Sequence, residues 1–171
     1  MSLDQEFLKA STDKLDQLLR RIEACVDRLT PEQIWTRGTE NQNAIGNLML
    51  HLTGNVRQWI LHGVAGQPDH RIRDTEFSNR TEMAPAELKQ RLRSTVEEAL
   101  AVVKALTPEA LLEKTSVQVY GDLSKLQAVF HVVEHFSMHT GQIIFLTKAL
   151  TGEDLGFYKH LETKTRGDAV P

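Results

Sequence analysis

His131-Val132-Val133-Glu134-His135-Phe136-Ser137-Met138-His139-Thr140-Gly141-Gln142-Ile143 is the stretch on which the reading of this chain turns. It lies inside a longer segment, from about Lys125 to Leu150, with no proline and with Gly152 as its stop. Apolar residues recur there at three- and four-residue spacing, the period of an amphipathic helix, and a glycine just past the last turn closes such a helix. At ~100° per residue, Leu126, Val129, Val133, Phe136, Thr140, Ile143 and Thr147 form an inward stripe. His139 then stands roughly 90° from the centre of that stripe, His135 roughly 130° away on the same side, and His131 further round. These positions border a core and do not occupy it.

The same period recurs towards the N-terminus. Leu3 to Leu29 reads as a first helix through Leu8, Leu15, Leu18, Leu19, Ile22 and Val26. Asn41 or Asn43 can cap a second helix that carries Ile45, Leu48, Met49, Leu52, Val56, Trp59 and Ile60 to about His62, closed by Gly63 and Gly66. A third runs from near Pro85 to Leu106 through Leu88, Leu92, Val96 and Leu100. Thr30-Pro31-Glu32-Gln33 and Thr107-Pro108-Glu109-Ala110 each open a short helix, with Thr as the cap and Pro at the first helical position. Residues 64–83 are polar and read as a long ordered loop, a kind of segment that often carries function. Val117-Gln118-Val119-Tyr120 alternates and is the one good strand candidate, as an extended connector or half of a small hairpin. The expected fold class is therefore all-α: a four-helix bundle with long connections, formed as a single domain over residues 1–171. Phe157 and Tyr158 are expected to pack back, and Thr163 to Pro171 to form a loose tail.

Composition narrows the function classes. The 171 residues are 40% hydrophobic, enough to build one core. Twenty basic and 23 acidic side chains leave a net charge of −3, which argues against nucleic acid or an acidic membrane as the main partner. No segment has the length and apolarity of a membrane span. The opening residues lack the basic-then-apolar order of a secretory signal, and the lone Cys25 allows no intrachain disulfide. A cytoplasmic location is expected. Cys25 sits among Ile22, Val26 and Leu29 and reads as a small buried hydrophobe, not a nucleophile. The nucleophile-elbow, phosphate-loop and dinucleotide-binding glycine patterns are all missing from the sequence.

Chemistry therefore centres on the seven histidines. Two imidazoles four apart on a helix lie one turn above another and can hold one metal ion. His51 on the second helix lies about 120° from the Leu48–Leu52–Val56–Trp59 stripe, with Asn55 closer in. Edge positions on two adjacent helices can line one cleft, and three histidines with an open fourth position make a catalytic type of metal site. The plainer alternative is that each histidine is a hydrogen-bonded boundary residue. His62 is explained by the favourable C-terminal helix dipole, and His70 and His160 carry no assigned chemistry. Glu134 falls on the far, solvated side of its helix. The Arg71, Arg73, Asp74, Glu76 and Arg80 cluster reads as a charged loop that could cover the mouth of a site.

Two stretches, Asn47 to Trp59 with His51 and Asn55, and His131 to Ile143, resemble the DinB/YfiT-like superfamily of metal-binding four-helix bundles. The phrases Arg73-Asp74-Thr75-Glu76-Phe77 and Leu155-Gly156-Phe157-Tyr158 are similar to that group as well. The resemblance implies a bundle with a long crossover, a homodimer, and a zinc or nickel ion held by three histidines. Position by position these match His51, His135 and His139. His131 matches no usual ligand, so it either supports the site, faces substrate or is solvated. Relatives that transfer or isomerise small thiol-linked substrates imply a metal-dependent thiol S-transferase, or a hydrolase, that activates a small thiol or water. Asn55, Gln142 or His131 would orient one reactant. The alternative is a non-catalytic, metal-binding dimeric bundle that binds a ligand or partner.

Overall fold

The computed structural model describes residues 2–80 and 83–159. The expected loose tail from Thr163 to Pro171, and His160, lie outside the described residues. In chain order the elements are α1 (Leu3–Val26), α2 (Pro31–Trp35), α3 (Ile45–Val56), a π-helical turn (Arg57–His62), α4 (Arg73–Ser78), α5 (Pro85–Lys104), α6 (Pro108–Leu112), β1 (Lys114–Val117), β2 (Tyr120–Ser124) and α7 (Lys125–Thr151). The fold is a helical bundle with one small hairpin. α1 packs on α7 and α5, and α3 packs on α5, α7 and α4.

Local chemistry starts and stops these elements as the sequence indicates. Thr30 Oγ1 accepts from the Gln33 amide while Gln33 Oε1 accepts from the Thr30 amide, satisfying two orphan donors of α2. Thr107 caps α6 by accepting from the Ala110 amide. Ser124 and Gln127 form the same reciprocal box at the start of α7, and Gly152 ends that helix at φ 71°. α3 differs from expectation: its N-cap is Ala44, not Asn41 or Asn43, and no side chain caps it.

Leu15, Leu19, Ile22, Leu52, Val56, Leu92, Val96, Val129, Phe136 and Ile143 are all buried in one core. Cys25 is buried within it as a free thiol, and Glu134 is solvated. Leu155 is buried and Phe157 packs partly against the core, while Tyr158 stays exposed, its ring beneath the Arg21 guanidinium.

Further expectations need correction. First, the second helix does not run as one α-helix to His62. It widens into a π turn, in which the Gly63 amide donates to the Gln58 carbonyl five residues back, a feature that often marks functional positions. Second, the 64–83 loop contains α4. Asn47 on α3 holds it in place, its Nδ2 donating to the Glu76 and Asn79 carbonyls at 2.8 and 3.1 Å. Third, Val117 to Tyr120 is not one strand. Val117 pairs with Tyr120 across a turn made by Gln118 and Val119, with Gln118 at φ 56° and Val119 at the exposed tip. Alternation alone cannot separate a strand from a tight turn flanked by two strand ends. The hairpin docks on the π turn through Thr115, whose hydroxyl donates to the Gly63 carbonyl. A Cβ at Gly63 would stand 2.4 Å from Val117 Cγ2 and 2.7 Å from the Trp59 carbonyl, so this close approach requires glycine.

The inward stripe of α7 is also rotated from the expected one. Its buried residues are Ala128, Val129, Val132, Phe136, His139, Thr140, Ile143 and Thr147. Val132 is buried, whereas Val133 and Leu126 are only half-buried. The centre of the stripe is turned by about 50° towards the histidines. The reason is tertiary: α7 is covered by α1 on one side and by α3 with its π turn on the other. The second contact buries a polar arc that hydrophobic periodicity does not register.

Candidate metal centre

The rotation of α7 brings His135 and His139 against His51 of α3. One ring nitrogen from each of the three lies within 4.8 Å of the other two. The Nε2 atoms of His51 and His135 are 2.9 Å apart. Ring centroids are 5.0 Å apart for His51–His135, 4.9 Å for His51–His139 and 4.5 Å for His135–His139, all edge-on. His51 and His139 are buried, and His135 is half-buried.

The outer nitrogens of two rings are fixed by hydrogen bonds. His51 Nδ1–H donates to Glu76 Oε2 at 2.9 Å. Arg71 grips the same carboxylate in a two-pronged bond, Nε to Oε1 at 2.7 Å and Nη2 to Oε2 at 2.8 Å. This planar match is the strong form of an arginine–carboxylate pair. Gln58 from the π turn accepts from Arg71 Nη1 at 2.8 Å and donates to Asp69 Oδ2 at 2.7 Å. Gln118 at the hairpin turn donates to the same Gln58 oxygen at 2.6 Å. On α7, His139 Nδ1–H donates to Gln142 Oε1 at 2.7 Å. With both Nδ1 protons committed, the Nε2 lone pairs of His51 and His139 are left for the centre of the cluster. Histidine ligands are characteristically oriented this way.

Gly54 makes the Glu76 arrangement possible. A Cβ there would stand 2.0 Å from Glu76 Oε1 and 2.9 Å from Arg71 Nε. Phe77 lies against the other side of His51, ring centroids 4.6 Å apart.

The electrostatics favour the neutral form of the two α7 imidazoles, His135 and His139. Burial drives the His135 pKa down to about 3, reinforced by His139, His51, His131 and Arg71 nearby. Burial also lowers His139, against the opposing effect of the hydrogen bond it donates to Gln142. For Glu76, burial acts upward, but the hydrogen bonds from Arg71 and His51 and the positive charge of Arg71 prevail and hold its carboxyl below the usual range. It is therefore ionised and can hold the His51 proton.

The donor set fits a divalent ion. Two ligand nitrogens on a tetrahedral zinc stand about 3.3 Å apart for Zn–N bonds of ~2.0 Å, so the present spacings need only small side-chain adjustment. Neutral imidazoles suit zinc and nickel alike.

His131 is not part of the cluster. It is half-buried, tilted by 32° against the Trp59 ring with centroids 3.9 Å apart, and stacked on His135 at 5.4 Å. Asn55 is buried, and its Oδ1 has no hydrogen-bond partner among the described residues. His62 Nδ1–H donates to the Gln67 carbonyl at 2.7 Å, which accounts for it locally, and His70 is exposed. Sequence reasoning assigned no individual role to Arg71, Glu76 or Gln58. Their signal was present only as a carboxylate amid arginines in a polar segment that could cover a site.

The family model described as "Protein of unknown function (DUF1572)" matches residues 2–161. Two solved structures are similar at the level of fold. A conserved protein from Enterococcus faecalis shares 15% identity at a TM-score of 0.64, over 90% of this chain and 99% of that one. A DinB-like protein, YjoA, from Bacillus subtilis shares 14% identity at a TM-score of 0.66, over 87% of this chain and 97% of that one. No curated protein matches the chain. The family model spans nearly the whole chain, so the chain belongs to the DUF1572 family, and its fold is like that of the DinB-like protein.

Proposed function

We propose that this protein is a divalent-metal-dependent enzyme, a transferase or hydrolase acting on a small molecule, with His51, His135 and His139 as the ligands of a zinc or nickel ion. The observation that carries this reading is the convergence of three imidazoles within 4.8 Å, two of them oriented by hydrogen bonds from their far nitrogens. When bound, a divalent ion on three neutral ligands keeps its full charge and lowers the pKa of a water or low-molecular-weight thiol at its open position. The chain's own part is positioning. Glu76 and Arg71 hold the His51 ring and its proton, Gln142 does the same for His139, and Trp59 with His131 screens one side of the cluster from water.

A cavity of about 140 Å³ beside His51 and His135 favours an enzyme over a non-catalytic binding module. A closed coordination shell would have no use for it. A cytoplasmic setting, where small thiols stay reduced, belongs to the same proposal. Among the described residues, no helix is long and apolar enough to cross a membrane.

The homodimer belongs to the proposal too. Phe130, Met138 and Phe145 stand exposed within one arc of α7, and Met138 and Phe145 border a groove of about 520 Å³. A second copy presenting the same helix would cover this apolar face symmetrically.

The test is metal analysis of protein purified without a histidine tag, followed by turnover of a thiol with a chlorinated nitrobenzene. Stoichiometric metal with turnover supports the reading. Metal without turnover of any thiol or hydrolysable ester leaves the binding module. Absence of metal uptake from zinc or nickel buffers removes the site.

A further inference from the structure

The cavity beside the cluster shares His51, Arg71 and His135 with the metal reading, and its other walls come from residues that are not ligands. Its walls include Asn55, Trp59, Arg73, Tyr120 and His131, with His135 at the boundary to the three-histidine cluster. Two polar atoms in these walls are buried without a hydrogen-bond partner among the described residues: Asn55 Oδ1 and Trp59 Nε1. Both residues are more than nine-tenths buried. Buried polar groups nearly always have partners; both atoms are closed off from solvent, so an occupant reaches them only if the wall shifts.

The charge balance of the walls sets the sign of that occupant. Arg71 also lines the cavity, but its guanidinium is committed to the Glu76 carboxylate. Arg73 has no carboxylate partner among the described residues. Its guanidinium lies over the Phe77 ring, 4.9 Å from the centroid. The described lining contains no carboxylate. The cavity is therefore net positive through Arg73, and a divalent ion on the histidines would increase this.

Size limits the occupant further. About 140 Å³ is the share of four or five waters at ~30 Å³ each, well below the ~300 Å³ at which pockets for drug-sized ligands begin. We infer that this cavity is the substrate pocket and that it selects a small anionic molecule, its carboxylate held by Arg73 and its reacting end towards the histidine cluster. This rests on the metal reading above for the reaction, but not for the binding preference.

The test uses 3-mercaptopropionate and 3-mercaptopropionamide, which match in size and thiol and differ in charge. Binding is followed by calorimetry and by quenching of Trp59 emission in a Trp35→Phe background, with metal content measured on the same samples. The wild-type pocket should bind the carboxylate at least about tenfold more tightly than the amide. Arg73→Gln should bring the ratio to within about twofold of one, and Arg73→Lys, which keeps the charge, should retain most of it. Equal binding of the two probes overturns the inference, as does a preference that survives Arg73→Gln, even if the protein holds its metal. Conversely, protein that takes up no ion but still prefers the carboxylate through Arg73 supports this pocket while the metal reading falls.

Discussion

Gly54→Ala is the most discriminating perturbation of the site, because it removes no ligand and changes no charge. In a helix interior, alanine is favoured over glycine by about 1 kcal/mol, so an unstrained replacement in α3 would stabilise the protein. Here the new Cβ would meet Glu76 Oε1 at 2.0 Å, whereas ordinary contact begins near 3.4 Å, so the carboxylate must retreat by about 1.4 Å. The carboxylate ends a flexible side chain, and the backbone need not move. It is, however, pinned by Arg71 at 2.7 and 2.8 Å and by His51 at 2.9 Å. A retreat of that size takes the His51 bond beyond hydrogen-bonding length. The strain should cost roughly 1–3 kcal/mol, largely offset by helix propensity, so urea melts of metal-free protein should shift by less than about 2 kcal/mol. Loss of the His51 orientation should weaken metal binding by about 10–100-fold, as is typical when an outer partner of a ligand is lost. The assay is competition with a chromophoric chelator. Metal affinity within threefold of wild type, together with a stability gain near 1 kcal/mol, would refute the role given to Glu76 and Arg71.

Other outcomes follow from the same geometry. His135→Ala should lose the ion while retaining the helical circular dichroism of the wild type, whereas His131→Ala should keep stoichiometric metal; the reverse pattern in metal analysis would mean the ligand pair is off by one turn. The depressed pKa of His135, about 3 against an ordinary 6.5, means that the unfolded chain binds a proton more readily. Metal-free protein should therefore lose stability as pH falls from about 6.5 towards 3, by up to about 1.4 kcal/mol per unit for this group. His135→Asn should flatten the profile of urea midpoints between pH 6.5 and 4.5; identical slopes would contradict the assignment. Val132→Ala should cost about 1–3 kcal/mol in denaturant melts and Val133→Ala less than about 1, because only Val132 is fully buried. Phe145→Glu should convert a dimer to monomer in light scattering; an unchanged mass would place pairing elsewhere or nowhere.

Several features were legible in the sequence because they depend on neighbours along the chain. The Thr-Pro helix starts, the Gly152 stop and the three- and four-residue spacing of leucines and valines are short-range physics. The four-residue spacing of His135 and His139 guarantees two rings on one face of any helix that forms. The partner of that pair could be suspected from the edge position of His51, but periodicity placed it on a boundary. Burial of His51 depends on Glu76, 25 residues away, and on the Asn47 bonds that draw α4 over it.

Only the tertiary structure decided the rotation of α7, the π turn that presents Gln58 and Trp59, and the pairing of Arg71 with Glu76 beneath Gly54. Hydrophobic periodicity counts apolar surface, so it turned α7 towards Val133 and away from the polar arc that α3 buries. A glycine at position 54 is unremarkable in sequence; its necessity comes from a carboxylate arriving from another element. Buried polar contacts are satisfied by whichever groups the fold brings together. Their partners therefore become identifiable only when helices distant in sequence are packed side by side.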